Sequence, residues 1–172
     1  MRVVAGEFGG RKIVAPEGTA TRPTTDRVRE AIFNSLGSSG ILDGALVADL
    51  FAGSGAVGIE ALSRGAEKCV FVERNRHALN ALEDNLDSLG LGDRSKIISS
   101  DVMAVAPSLD CDIVFADPAY DFDAWDRLLE LVKADFVVAE SGRPIICPEG
   151  WEAIREKKYG RTVVTFFERA QK

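Results

Sequence analysis

From residue 45 onward, the sequence alternates between short apolar segments and segments with helical spacing. The apolar segments are rich in Val, Ile and Phe, which is typical of strands that are buried on both faces of a sheet. They are predicted as strands at Leu46–Phe51, Lys68–Glu73, Ser95–Ser100, Asp112–Asp117 and Phe136–Glu140. Helices are predicted between several of them, near residues 56–64, 76–89 and 124–134. Since alternating strands and helices form parallel sheets, we expect an α/β fold with helices on both faces.

The two ends of the chain depart from this alternation. Trp151–Lys158 and Arg161–Arg169 are predicted as two antiparallel strands around Tyr159-Gly160. At the amino terminus, residues 2–5 and 11–15 are predicted as a small β-hairpin around Gly9-Gly10. We therefore expect an N-terminal β-hairpin extension at residues 1–24 and a main domain at residues 25–172.

The main domain is expected to open with a helix that starts near Thr25 or Asp26, either of which could cap it. Val28, Ile32 and Leu36 recur every four residues and would form its buried face.

Length and composition fit a single compact cytoplasmic protein. The chain has 172 residues, of which 46% are hydrophobic and 28% charged. No apolar run reaches the roughly 18–20 residues of a membrane span, and the amino terminus lacks the apolar core of a signal peptide. The three cysteines form no CxxC pair, so neither a disulfide framework nor a metal site is expected.

Charge is distributed unevenly. The chain carries a net charge of −6, which is not typical of a protein that binds nucleic acid. Residues 1–30, however, hold six basic and four acidic groups, whereas the remainder holds 15 basic and 23 acidic groups. A surface that contacts phosphates is therefore expected near the amino terminus, although a solvated extension would account for the same charges.

A glycine-rich segment, Asp49–Gly58, closes the first predicted strand and opens a helix. Glycines at such a turn let the backbone approach a ligand closely and let the helix pack on the strand. Glu73 ends the second strand and could accept hydrogen bonds from ribose hydroxyls, and Asp101 after the third strand could accept one from an adenine amino group. These features suit either a nicotinamide dinucleotide or S-adenosylmethionine.

The segment Asp117-Pro118-Ala119-Tyr120 follows the fourth predicted strand, at the edge of the sheet where ligands of this fold class bind. An exocyclic amine of a base is a poor nucleophile because its lone pair is delocalised into the ring. The Asp117 carboxylate and the Pro118 carbonyl oxygen could accept from its two N–H groups and stabilise the developing positive charge. Tyr120 offers a ring on which the base could stack. This segment favours a methyltransferase over a dehydrogenase, for which it would have no role.

These motifs make the chain resemble the RsmD family of 16S rRNA (guanine-N2)-methyltransferases. The resemblance covers nearly the whole chain and rests on five segments: Arg2–Gly6 with Gly10–Lys12, Arg22–Glu30, Asp49–Gly58, Asp117–Tyr120 and Tyr159-Gly160. It implies a Rossmann-like class I methyltransferase with a seven-stranded, mostly parallel sheet and a C-terminal antiparallel hairpin. It also implies S-adenosyl-L-methionine as cofactor and, as substrate, 16S rRNA in a small ribosomal subunit that is still assembling.

The resemblance also implies roles for individual residues. Asp117, Pro118 and Tyr120 would hold the target amine. The cofactor-binding residues would be Asp49, Ala52, Gly53, Gly55, Glu73, Arg74, Asp101 and Val102. The RNA-binding residues would be Arg11, Lys12, Arg22, Arg27 and Arg29.

The sequence departs from the family pattern at Ala119, where the family usually has a second proline. We expect activity to be retained, because Asp117 and Pro118 are both present. Methylation of adenine N6 and a non-catalytic role in ribosome assembly are the alternatives that the motifs leave open. A monomer without a metal ion is expected.

Overall fold

The computed structural model describes residues 1–17 and 25–172, so Arg22 lies outside the described residues. The core is one seven-stranded sheet with the strand order β3-β2-β1-β4-β5-β7-β6. The strands are β1 (Leu46–Leu50), β2 (Lys68–Glu73), β3 (Ser95–Ser99), β4 (Ile113–Ala116), β5 (Phe136–Ser141), β6 (Trp151–Tyr159) and β7 (Thr162–Arg169). β1 to β5 pair in parallel, and β7 is antiparallel to both β5 and β6. The predicted mixed sheet with a C-terminal hairpin is confirmed.

The helices cover both faces of the sheet, as predicted. They are α1 (Asp26–Gly37), α2 (Ala56–Ser63), α3 (Arg76–Ser88), α4 (Val102–Val105) and α5 (Trp125–Leu131), with short 3-10 turns at Gly92–Arg94 and Ala106–Ser108. One apolar core lies under α1, α2 and α3, and a second lies under α4 and α5. Thr25 caps α1 by accepting from the Val28 N–H, and Val28, Ile32 and Leu36 are buried as expected.

The parallel strands place their carboxyl ends along one edge of the sheet. β4 is shorter than predicted, because Asp112 and Asp117 both lie just outside it. The Asp112 side chain accepts a hydrogen bond from the Leu46 N–H at 2.8 Å, which fixes the other end of the strand. Asp117 is therefore the first residue of the loop after β4, at the edge where ligands of open α/β sheets bind.

The amino-terminal segment is only partly a hairpin. A single antiparallel bridge joins Arg2 to Lys12, in place of the two strands predicted at residues 2–5 and 11–15. The N–H groups of Val4 and Ala5 donate to the carboxylate of Glu60 in α2, so they are not available to a partner strand. Val3 and Ile13 belong to the core under α1, α2 and α3, which packs this segment against the rest of the sheet.

Arg29 is fully buried, which contradicts its assignment to RNA contact. Its guanidinium lies beside the equally buried carboxylate of Glu60, with Nε 3.4 Å from Oε1. It also donates to the main-chain oxygen of Arg2 and to Asp26. Because buried charges need close partners, this network fixes the amino-terminal segment to α1 and α2.

None of the helices among the described residues is long and apolar enough to cross a bilayer.

The buried network predicts a large stability effect at Arg29 and a small one at its exposed neighbour Arg27. Replacing Arg29 with Ala leaves the buried Glu60 carboxylate with Arg64, whose Nε lies 3.6 Å from Oε2, as its remaining cation. The free energy of unfolding should therefore fall by about 3 kcal/mol, the lower end of the cost of breaking a buried ion pair. Arg27→Ala, on the same helix, should change it by less than about 0.5 kcal/mol. Urea denaturation of the two variants measures both values, and equal small losses would contradict the structural role of Arg29.

Candidate active site

The loop between β1 and α2 is held by a buried carboxylate. Asp49 lies in β1, and its Oδ2 accepts a hydrogen bond from the Gly58 N–H at 2.9 Å, across the whole loop. Among the described residues, Phe51 is the only non-glycine residue with a left-handed backbone, at φ 60°. This conformation costs roughly 1–2 kcal/mol and, where it persists, often marks a functional site. The loop is therefore fixed in shape rather than adaptable.

Two glycines of this loop serve different purposes. Gly55 has φ 85°, and a Cβ there would lie 2.4 Å from Leu82 Cδ1, so this glycine allows α2 to pack closely. Gly53 also has a positive φ, of 58°, but a Cβ there would meet nothing within 4 Å. The space beside Gly53 is therefore open to a ligand, whereas Gly55 is required by packing.

Glu73, at the end of β2, is oriented by three backbone groups. Its Oε2 accepts from the Gly53 N–H at 2.8 Å, and its Oε1 accepts from the N–H groups of Arg74 and Asn75, both at 2.9 Å. A carboxylate offers about four acceptor positions, so one on Oε2 remains for a ligand. Glu73 thus links the glycine loop to the neighbouring strand and still faces solvent in part.

Asp101 begins α4 and lies opposite Arg74. Its Oδ1 accepts from the Met103 N–H at 2.8 Å, and its Oδ2 lies 3.0 Å from Arg74 Nη1. Glu73, Arg74, Asp101 and Val102, which were assigned to cofactor binding, line one cavity of about 150 Å3. Its apolar lining comes from Phe51, Val72, Met103 and Phe122, and Phe122 packs edge-on against Phe51 with ring centroids 5.4 Å apart.

The loop after β4 carries the predicted catalytic residues. Pro118 is buried, and Asp117 is half-buried. The Tyr120 hydroxyl lies 3.1 Å from Thr162 Oγ1, and a Cβ built on Gly142 would come within 2.8 Å of Tyr120 Cδ1. Since Ser141 pairs with Val163, Gly142 and Thr162 lie side by side at this edge and together fix the tyrosine ring.

This loop separates the 150 Å3 cavity from a second, larger one. Phe122 lines the cavity beside Glu73, whereas Tyr120 lines a cleft of about 590 Å3 on the other side. Asp117 and Pro118 are not among the residues that line either space, and the strand order places the end of β4 between them. The geometry gives two compartments, one on each side of the Asp117–Tyr120 segment.

Carboxylates dominate the electrostatics between these compartments. Burial raises the pKa of Asp49 well above its ordinary value, the Gly58 hydrogen bond opposes this, and the negative charges of Asp117 and Glu73 raise the pKa further. A site of this kind favours a cationic ligand and disfavours an anionic one. No group of side chains in residues 1–17 and 25–172 has the arrangement of a metal site.

The remaining predicted residues are placed as follows. Asp49 and Gly55 are buried, and Asp49 holds the loop from within through its hydrogen bond with Gly58. Arg11, Lys12 and Arg27 are exposed, and Arg11 donates to the main-chain oxygen of Ser88 at 2.9 Å.

Sequence reasoning missed Phe51, Met103 and Phe122, which line the cavity beside Glu73, and it missed Thr162 and Gly142. Phe51 lies within the recognised segment Asp49–Gly58 and Phe122 follows Tyr120 by two residues, so both could have been found from these positions. Thr162 begins β7 and Gly142 follows β5, both distant in sequence from Tyr120, and neither has a local signal.

The sheet with antiparallel β7 inserted between β5 and β6, the glycine-rich loop after β1 and the acidic residue after β2 define a Rossmann-like class I methyltransferase. A family profile described as "Conserved hypothetical protein 95" matches residues 1–168. Ribosomal RNA small subunit methyltransferase D of Escherichia coli (strain K12) is 32% identical over 182 residues, which cover 98% of this chain and 90% of that protein.

Two further similarities span nearly the whole chain. YlbH of Bacillus subtilis (strain 168) is 38% identical over 184 residues, with 98% of this chain and 99% of that protein covered. The solved structure of the Escherichia coli protein yhhF matches with a TM-score of 0.85 at 33% identity, and the match covers 98% of this chain and 97% of that one. The chain belongs to the RsmD family.

The raised pKa of Asp49 predicts how stability depends on pH. A carboxyl group whose pKa is higher in the folded state stabilises the protein below its unfolded pKa, about 3.9, and loses this contribution as pH rises through the folded pKa. The free energy of unfolding of the wild type, relative to Asp49→Asn, should therefore fall as pH rises from about 4 and then level off. Denaturation of both proteins between pH 4 and 8 measures this difference, and a difference that rises with pH would contradict the assignment.

Proposed function

We propose that this chain transfers a methyl group from S-adenosylmethionine to the exocyclic N2 amine of a guanine in 16S rRNA. The substrate would be a small ribosomal subunit that is still assembling in the bacterial cytoplasm. Membership of the RsmD family supports this, since a relative matched over 98% of this chain is named Ribosomal RNA small subunit methyltransferase D. The observation that carries the proposal is the position of Asp117–Tyr120 between two compartments, one suited to a methyl donor and one to a base.

The cavity beside Glu73 suits the adenosine part of the cofactor. Its apolar lining would enclose the adenine, Asp101 would accept from the adenine amino group, and the free position on Glu73 Oε2 would accept from a ribose hydroxyl. The cavity is smaller than the roughly 300–1,000 Å3 of most ligand sites. The remainder of the cofactor would therefore extend over Gly53, where no side chain obstructs it.

Electrostatics favour this cofactor over a nicotinamide dinucleotide. Asp49, Glu73 and Asp117 lie close enough for their charges to act on one another. Negative charge of this kind attracts a ligand that carries a sulfonium and an ammonium group and repels a pyrophosphate. A nicotinamide dinucleotide would have to place its phosphates in this negatively charged region, so the site disfavours the dehydrogenase alternative.

The chain's own residues would supply positioning and charge stabilisation. S-adenosylmethionine, when bound, supplies an electrophilic methyl group. The Asp117 carboxylate and the Pro118 carbonyl oxygen would accept from the two N–H groups of the amine, which directs its lone pair at the methyl carbon and stabilises the positive charge that forms. The methylated nitrogen would then release one proton to the Asp117 carboxylate and on to water, which restores a neutral amine and leaves S-adenosylhomocysteine as the other product.

RNA contact is assigned to the exposed amino-terminal cations. Arg11 and Lys12 in the amino-terminal segment and Arg27 on α1 present their side chains to solvent. We propose that they contact phosphates, together with Arg22, while the enzyme acts as a monomer.

A labelling experiment tests the proposed function. Wild-type protein would be incubated with methyl-labelled S-adenosylmethionine and small subunits from cells that lack this methylation, and the RNA would then be digested to nucleosides. We expect the label on N2-methylguanosine. Label on N6-methyladenosine or on protein would contradict the guanine assignment, and subunit binding without label would indicate a non-catalytic assembly factor.

A variant of Asp117 tests the chemistry separately. Asp117→Asn keeps the size of the side chain but removes its charge, so turnover should fall by about 100-fold or more, by analogy with the loss of one preorganised group that stabilises transition-state charge. Cofactor affinity, measured by calorimetry, should change little. Asp126→Asn, an exposed change at the start of α5, is the matched control and should retain full turnover. Undiminished turnover in Asp117→Asn would refute its proposed role.

A further inference from the structure

Apart from Tyr120, the residues that line the 590 Å3 cleft have no role in the proposed chemistry. Tyr120 forms the wall nearest the loop after β4, and the other lining residues come from that loop and from the elements around β5, β6 and β7. They are Asp121, Asp123, Gly142, Arg143, Lys158, Gly160 and Arg161.

Strand register brings three cations together here. Arg143 follows β5, Lys158 lies in β6 opposite Val163, and Arg161 lies in the turn that joins β6 to β7. Val163 pairs with both Lys158 and Ser141, so the ends of β5, β6 and β7 lie side by side. The three cations therefore line one cleft, although Arg143 and Arg161 are 18 positions apart in sequence. They lie one to three strands from the end of β4, roughly 5–14 Å across the sheet.

These cations are available to a ligand. Arg143, Lys158 and Arg161 are exposed, and in the described part of the chain none of their side chains takes part in the ion pairs, which involve other arginines. The cleft also contains Asp121 and Asp123, so its formal charge is +1 in a chain whose net charge is −6. Three cations that are not held in ion pairs, in a cleft of net positive charge, favour an anionic ligand.

The distribution of charge in the cleft suits a nucleotide, whose base carries N–H donors and whose backbone carries a negative phosphate. The two aspartates belong to the loop that carries Asp117, where a base with N–H donors would lie. The three cations belong to the ends of β5 and β6 and to the turn between β6 and β7, and the strand order places β7 and β6 farther from β4. Thr162 and Gly142, which fix the Tyr120 ring, are the sequence neighbours of Arg161 and Arg143. A base held against Tyr120 would therefore direct its backbone towards the cations.

We propose that Arg143, Lys158 and Arg161, here named the cationic triad, bind backbone phosphates of the RNA nucleotides adjacent to the target base. This inference rests on the proposed function and adds a second RNA contact, separate from the amino-terminal cations. Its role is to bind and orient the RNA strand, without taking part in methyl transfer.

The test compares two triple variants that remove equal charge. One replaces the cationic triad with Ala. The control replaces Lys68, Lys96 and Lys133 with Ala, since these exposed lysines lie near the amino ends of β2, β3 and β5, at the opposite edge of the sheet. Binding to unmethylated small subunits and to a short guanine-containing single-stranded RNA would be measured at several salt concentrations, with cofactor affinity as a check on folding.

We expect the triad variant to bind both RNAs at least about tenfold more weakly than the wild type, with cofactor affinity unchanged. The negative slope of log affinity against log salt concentration should become shallower by about 2. The KM of the triad variant for subunits should rise more than its kcat falls. Affinity and slope equal to those of the control variant would overturn the inference. A wild type that fails to methylate subunits would instead refute the proposed function, so the two failures are distinguishable.

Discussion

The site depends on carboxylates that bind backbone N–H groups at the carboxyl edge of the sheet. Asp49 accepts from Gly58, Glu73 accepts from Gly53, and Asp101 accepts from Met103. Hydrogen bonds to charged acceptors are stronger than neutral ones, and each of these fixes a loop that would otherwise be free to move. The same negative charges would favour the cationic methyl donor of the proposed function. One set of interactions thus determines both the shape of the site and the charge of its ligand.

The loop after β4 divides that edge into two compartments. The residues that line one compartment come from local sequence motifs, and those that line the other are brought together by strand pairing. On the β2 and β3 side, the wall is built from the residues that the recognised motifs contain or adjoin. On the β5 and β7 side, it is built by pairing between strands that are distant in sequence, which places Thr162 and Gly142 against Tyr120. The methyl donor and the base would therefore meet at Asp117, held from two independent parts of the sheet.

The sheet and the first compartment could be predicted from sequence because both depend on local patterns. Apolar strands, a glycine-rich turn and acidic residues at strand ends each carry a signal within a few residues. Arg29 could not be assigned in this way, since an arginine in a basic segment looks like a surface residue, and only the fold shows Glu60 beside it. The two strands predicted at the amino terminus are longer than the structure has for a similar reason. The Glu60 carboxylate accepts from the N–H groups of Val4 and Ala5, and this contact has no signal in the local sequence.

A structure of the protein with S-adenosylhomocysteine bound tests the two-compartment arrangement most directly. We predict the adenine in the cavity lined by Phe51, Met103 and Phe122, a ribose hydroxyl within hydrogen-bonding distance of Glu73, and the sulfur atom facing Asp117. A ligand found in the cleft beside Tyr120, or one that leaves Glu73 without a contact, would contradict it.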